Sequence, residues 1–331
     1  MLIGMGGGVA MVFSGGGAPA AYFGAGVVRA VEEAGLGPTL FSGVSSGAFN
    51  AAALAVGKDA DALAELWRAV RWRDVARWRT DLQRLPNMRN LLRGSPHLLD
   101  WLLRSVGWTS LLDNSPARDT LIRHLGGPEL PIADGRTLVI SSVDIATGDV
   151  VQFSNAAPRR PGRITQCVDL SVDHVLASAA VPIAFPPVVV DGRSLVDAGT
   201  VANTPLRPVM DYEPDAVIVV SGGGGARPAP APSSLGETIG LLVDNLAHFA
   251  LHADFDHAAT VNALAREAPA TTDRRYVPMV LVEPVKLTFA AGAFFRFTAA
   301  DADRIMGFGY ERAVEALAGW DWLLPPSASN A

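Results

Sequence analysis

Cysteine is almost missing from this chain: among 331 residues there is one, Cys167. A lone thiol closes no internal disulfide, so nothing here asks for an oxidising compartment. Without cysteine or histidine partners at metal-ligand spacing, Cys167 reads as a small buried apolar residue. A basic excess is missing as well. The formal net charge is -6, the wrong sign for a general nucleic-acid binder, whose footprint is basic. Charged residues reach only 18% against 49% hydrophobic, which excludes a disordered chain and supplies a sizeable core. Also absent is any apolar run long enough to cross a bilayer. The first charged residue is Arg29, but nine glycines interrupt the stretch before it and no basic segment opens it. Neither a membrane span nor a cleaved leader is therefore expected. The expectation is a soluble, cytoplasmic protein, compatible with peripheral membrane contact or leaderless export.

What is present is a stretch around which the rest is organised, Leu40 to Asn50. Apolar, β-prone residues lead into Gly43-Val44-Ser45-Ser46-Gly47, and an alanine-rich segment follows. This reads as strand, sharp turn and helix with G-x-S-x-G at the turn. A serine at such a tip needs a strained backbone, and side chains at Gly43 or Gly47 would collide with neighbouring backbone. The following helix aims its free N–H groups at the serine, favouring negative charge there. Ser45 is the candidate nucleophile, and Ser46 the alternative hydroxyl outside the central position.

A similar unit precedes it. Val9 to Phe13 reads as a buried strand, Ser14-Gly15-Gly16-Gly17-Ala18-Pro19 as a turn, and Ala20 to Ala34 as a helix stopped by Gly35. Pro19 suits the first helical position. Two such units in succession predict a parallel sheet with helices on its faces. From about 61 to 115 the character changes. Five tryptophans and nine arginines with five acidic residues occupy Asp61 to Ser110, a local balance of +4, which reads as a helical insertion above the sheet. Beyond it come strands over Thr137 to Ser154 around a turn at Ala146–Asp149, a helix over Cys167 to Ala180, and strands at Pro186–Val190 and Ser194–Asp197. A strand at Ala216–Val220 then runs into a second glycine run, Gly222 to Gly225, read as a flexible connection. A linker (Arg227 to Ser234), a long helix, a strand at Tyr276–Val285, a helix at Ala299–Ala318 and a frayed tail at 323–331 complete the chain.

The first glycine run admits several readings. It half matches a dinucleotide fingerprint, without the acidic residue that should close a second strand. No Gly-Lys-Ser/Thr follows, so it is not a P-loop. It also fits a tight turn, or an oxyanion loop whose bare N–H groups face a substrate oxygen. A serine needs a proton acceptor. Asp197, in Leu195-Val196-Asp197-Ala198-Gly199, is the candidate acid, with small neighbours that permit close approach. A Ser-His-Asp hydrolase needs a histidine after the acid, and His248, His252 and His257 are available, though all on one predicted helix; His97, His124 and His174 precede Asp197. His248, His252 and Asp256 repeat at i, i+4, i+8, which suggests metal, but the outer two lie about 12 Å apart along the axis. A partly exposed helix face is the better reading, and no metal or cofactor is expected.

Taken in order, Phe13-Ser14-Gly15-Gly16-Gly17-Ala18, Gly43-Val44-Ser45-Ser46-Gly47, Ala177-Ser178-Ala179-Ala180-Val181-Pro182 with Phe185-Pro186-Pro187, and Asp197-Ala198-Gly199 resemble the motif set of patatin-like phospholipases. Asp303 to Tyr310 is similar to that family's last helix, so the resemblance runs over about residues 9 to 310. It implies a three-layer α/β/α fold with a mainly parallel central sheet, one domain over 1–331, and the insertion as a helical lid. It further implies a Ser-Asp dyad without histidine that hydrolyses acyl esters of lipids through an acyl-enzyme. By position Ser45 is the nucleophile and Asp197 the general base. Gly15, Gly16 and Gly17 supply the oxyanion N–H groups, and Gly43, Gly47 and Gly199 are motif glycines. The implied partner is a phospholipid or other acyl-ester lipid, with transient membrane contact through the Trp/Arg-rich insertion and no nucleic acid. Two departures stand out: Pro19-Ala20 replace the family's basic residue and glycine, and Asp197-Ala198-Gly199 replaces Asp-Gly-Gly or Asp-Gly-Ala.

Overall fold

The computed structural model describes residues 8–79, 109–160, 165–223, 235–284 and 294–319. The middle of the Trp/Arg-rich insertion, the linker at 227–234 and the tail at 323–331 lie outside the described residues.

The first strand, β1 (Val9–Phe13), is followed by α1 (Gly17–Glu33), β2 (Leu40–Gly43), α2 (Ser46–Ala55) and α3 (Ala60–Ala69). A short antiparallel pair, β3 (Arg77–Trp78) and β4 (Leu112–Asp113), precedes α4 (Ser115–Leu125). Then come β5 (Thr137–Asp144), β6 (Val150–Ser154), β7 (Thr165–Cys167), α5 (Val172–Ser178), β8 (Val188–Val190), β9 (Arg193–Asp197) and α6 (Leu206–Met210). The last elements are β10 (Ala216–Val220), α7 (Leu235–Glu267), β11 (Met279–Val282) and α8 (Ala299–Ala318). The main sheet runs β11-β10-β1-β2-β5-β6-β7, with β9 on β5 and β8 on β9. From β11 to β5 every neighbour is parallel.

Both faces of this sheet are covered, and the period-two alternation of the strands shows how. In β1, Met11 and Phe13 join the apolar cluster formed with α1, α2, α3 and α8, whereas Ala10 and Val12 face the cluster with α6 and Leu251 of α7. Leu138 and Ile140 against Val139 in β5, and Ile218 and Val220 against Val217 and Val219 in β10, divide the same way. Strands apolar on both sides belong between two helical layers, and the fold is a three-layer α/β/α. Helix α3, at the start of the expected insertion, is part of this core: Trp67 is buried, and its indole N–H donates to Asn50 Oδ1 at 2.8 Å.

Two local expectations are corrected. Helix α1 begins at Gly17, so Pro19 occupies its third position, still within the turn whose N–H groups need no intrahelical acceptor. Cys167 is exposed, at the end of strand β7, and the helix predicted to begin there starts only at Val172. Ser171 is the reason: its reciprocal hydrogen bonds with His174 cap the helix at that point.

Candidate active site

The register of β5 brings two distant segments together. One edge of β5 is filled by β6. The other is shared: β2 runs parallel along it and ends with Gly43 opposite Ile140, while β9 arrives antiparallel and ends with Asp197 opposite Ser142. The two strands meet head to head about 7 Å apart along the edge of β5. The residues that leave their ends, Ser45 and Asp197, are thereby made neighbours.

Ser45 has φ 55° and ψ -128° and immediately precedes α2. A non-glycine residue in such a conformation costs about 1–3 kcal/mol and persists only where its surroundings fix it. Those surroundings are close. A Cβ on Gly47 would lie 2.5 Å from the Phe13 and Ser14 carbonyl oxygens, and one on Gly43 would collide with the Gly47 backbone. Both motif glycines are therefore required by contact with main chain. The Ser45 N–H donates to the carbonyl and hydroxyl oxygens of Ser178, each at 3.1 Å, and Ser178 Oγ in turn donates to the Ser141 carbonyl at 2.7 Å.

Asp197 is 4% exposed. Burial drives its carboxyl up to about 6 from an ordinary 3.8. The nearby Ser45 side chain and the Gly199 N–H, which donates at 2.6 Å, favour the carboxylate and limit the rise. Its backbone N–H donates to the Ala180 carbonyl at 3.0 Å. One strap, Ser178 to Ala180, thus holds both Ser45 and Asp197. The described ends of the insertion root beside it: Ala76 and Leu112 pack with Ala180 and Phe185, and Trp72 meets Phe295 edge-on. Ile183 just beyond the strap and Val201 just beyond Asp197 are exposed apolar side chains, at 73% and 60%.

The three glycines of the first run divide in role. The Gly15 N–H donates to the Asn203 carbonyl at 3.3 Å, and a Cβ there would lie 2.9 Å from Ser45 Cβ and 2.8 Å from Asn203 Oδ1. Gly15 therefore gives Ser45 room. Gly16 and Gly17 open α1, where backbone N–H groups have no intrahelical acceptor. The methyl of Ala20 is accommodated by Gly16 and Gly222; a Cβ on Gly16 would come within 2.8 Å of it. Gly222, read from the sequence as the start of a flexible connection, is instead packed against Gly15 and Ala20, and its N–H donates to Ser14 Oγ. Ser178 and Asn203 were not assigned a role by sequence reasoning. Of the two only Ser178 carried a signal, as a member of the small-residue motif.

Among the described residues no histidine hydrogen-bonds to Ser45 or Asp197. His174 is buried beside Phe153 and caps α5, and His248 and His252 lie on α7 beside Glu283. No described helix is long and apolar enough to cross a membrane.

A mainly parallel sheet covered on both faces, with a strained serine and a buried carboxylate beyond its strand ends, defines the class of protein. Residues 11–210, which is 200 of 331, match the family described as Patatin-like phospholipase. The chain belongs to that family. Among solved structures it is similar to VipD from Legionella pneumophila, at 16% identity and a TM-score of 0.47, covering 95% of this chain and 67% of that one. It is also similar to human GIVD cytosolic phospholipase A2 in complex with methyl γ-linolenyl fluorophosphonate, at 14% identity and a TM-score of 0.44. That match covers 94% of this chain and 57% of the human one, so the chain spans little more than half the length of that enzyme. No curated protein matches it in sequence.

Proposed function

We propose that this protein is a lipid acyl hydrolase in which Ser45 is the nucleophile and Asp197 the general base. Family membership supports lipid hydrolysis as the class of activity. The observation that carries the finer reading is the strained Ser45 set beside the buried Asp197 carboxylate, with no imidazole on either among the described residues.

In this reaction Ser45 Oγ attacks the ester carbonyl while its proton passes to the Asp197 carboxylate. The carbonyl oxygen becomes an anion facing the Gly16 and Gly17 N–H groups and the positive end of α2. Collapse expels the alcohol, which takes the proton back from Asp197. Water then gives its proton to Asp197 as it attacks the acyl-Ser45 ester, Ser45 Oγ takes that proton back as its ester bond breaks, and the fatty acid leaves. An ordinary aspartate is a poor base near neutrality; a carboxyl raised to about 6 is better matched to the task. Each oxyanion donor contributes about 100-fold or more. With Gly15 engaged by Asn203, the burden falls on Gly16 and Gly17.

The substrate class follows from the rim. Ile183 and Val201 offer hydrocarbon surface on the segments that carry the strap and Asp197, and exposed Trp78 adds an interfacial side chain on the insertion. We therefore assign a lipid ester as substrate and transient contact of this side with a membrane surface. The test is a mixed lipid panel incubated with wild type, Ser45→Ala and Asp197→Asn, with released fatty acids identified by mass spectrometry. Wild type should release fatty acid and label with a fluorophosphonate, and Ser45→Ala should do neither. Turnover surviving in Ser45→Ala would overturn the assignment. For the membrane contact, wild type should float with anionic vesicles, and recovery entirely in the unbound fraction would dismiss it.

A second reading rests on Pro19, which brings no N–H, and on the engaged Gly15 amide: a lipid-binding relative without turnover. A wild-type protein that binds vesicles but resists fluorophosphonate would establish it.

A further inference from the structure

Away from the hydrolytic site, one group of ligating side chains is assembled from two elements that sequence spacing does not connect. Helix α7 carries His248 and His252 one turn apart, so both rings share a face. Glu283 is the first residue after β11. One donor atom from each of the three lies within 4.8 Å of the other two. The sequence suggested Asp256 as a companion to the histidines, but that residue sits too far along the helix axis. The fold supplies Glu283 instead.

His252 Nε2 and Glu283 Oε2 lie 3.4 Å apart. Both atoms are shielded from solvent, and neither has a hydrogen-bond partner. Shielded polar atoms without a partner are costly. The separation is that of two ligands on one ion: bonds of about 2.0–2.1 Å in a tetrahedron set ligand atoms about 3.3 Å apart. The His248 ring stands beside that of His252, centroids 4.3 Å apart and planes at 59°. Arg312 does not occupy the carboxylate: its Nε donates to the Glu283 backbone carbonyl at 3.4 Å and its Nη1 pairs with Glu315.

We propose that His248, His252 and Glu283 bind a divalent transition metal of zinc's class, with the fourth position open to water or an added ligand. Two imidazoles and a carboxylate are a donor set that zinc accepts, and two histidines at i, i+4 on a helix are a recurrent way to present it. The ion would fasten α7 to the outer strand of the sheet. α7 also packs against the turn Ala198–Thr200 that follows Asp197, so the clamp would steady that side of the fold. This inference does not depend on the hydrolytic reading, since its readout is metal binding.

The experiment uses the full chain without an affinity tag, dialysed against a chelator and titrated with Co²⁺ and then Zn²⁺. One Co²⁺ per chain should bind with the visible bands of a four-coordinate site, and one equivalent of Zn²⁺ should displace it. Zinc at roughly a hundred times its Kd should raise Tm by about 4 °C. His248→Gln, His252→Gln and Glu283→Gln should each weaken binding at least about tenfold while keeping the metal-free Tm. His257→Gln, on the same helix outside the trio, should bind as wild type does. Wild-type affinity and spectrum in Glu283→Gln, or no saturable site in the wild type, would overturn the proposal.

Discussion

In the proposed mechanism Asp197 carries opposite consequences for activity and for stability, and both follow from one raised pKa. The folded protein holds this proton more tightly than the unfolded chain does, because burial penalises the carboxylate. Stability contributed by the protonated acid is therefore fully present below about pH 4 and is lost as pH rises through about 6. Above that, the buried charge costs about 3 kcal/mol, at 1.36 kcal/mol per pKa unit. Asp197→Asn should be inactive yet more heat-stable than wild type at pH 8, with the difference in Tm closing toward pH 4. The kcat/KM of the wild type should climb through about pH 6 and level off above, since the base must be ionised. Thermal scans and rates over that range check both; equal Tm values at pH 8, or a flat rate profile, would contradict the assignment. Ser45 and Asp197 could be singled out as candidates because each sits in a local signature: a glycine-flanked turn, and a strand end followed by small residues. Ser178 and Asn203 were not. Ser178 acts on Ser45 from 133 positions away, and Asn203 meets Gly15 through its backbone carbonyl, a group every residue possesses.

At the level of elements, the site exists because β5 is longer than β2. The four residues of β2 use up only the first half of that edge, and β9 takes the rest in the opposite direction. Alternation and turn residues reveal the strands and the hairpin at Ala146–Asp149, but they contain nothing about which strand completes an edge some fifty positions earlier in the chain. The parallel sheet was therefore legible and the meeting of β2 with β9 was not. Glycine substitutions separate the two kinds of constraint at this junction. Ala at Gly47 drives a methyl into the carbonyls of Phe13 and Ser14, so strand and helix must part; the expected cost is about 1–3 kcal/mol or more, seen as a lower Tm. Ala at Gly15 meets Asn203 Oδ1, which can rotate away, and Ser45 Cβ, which moves only with the Ser45 backbone. It should lower Tm less than Gly47→Ala does while lowering kcat at least about tenfold with KM little changed. A Gly15→Ala protein with wild-type kcat would show that Ser45 does not need the space.

Over the whole molecule, the layer that covers the Met11 and Phe13 face is closed by α8, the last helix among the described residues, which lies beyond the family-matched residues 11–210. Helix α8 packs along α1, with Ile305, Met306 and Ala313 buried in the same cluster as Phe23, Val27 and Val31. Tyr310 reaches Glu33 with its hydroxyl at 2.7 Å. Two glycines set how close these helices come: a Cβ on Gly26 would strike the Met306 carbonyl, and one on Gly309 the Phe23 carbonyl. Each contact is helix backbone against helix backbone, so neither side can yield by a rotamer change. Moving α8 outward would loosen the packing over Phe23 and Val27, while Ser45 and Asp197 are fixed separately by β5 and the strap. Gly309→Ala should therefore lower Tm by about 1–4 °C, from about 1–3 kcal/mol of overpacking at roughly 1.4 °C per kcal/mol for a chain of this length. At a temperature where the variant is still folded, its kcat/KM should stay within about twofold of wild type. Differential scanning calorimetry beside fatty-acid release measures the two together. A large loss of turnover in folded Gly309→Ala would mean that the α1–α8 seam also shapes the oxyanion loop, since α1 begins at Gly17.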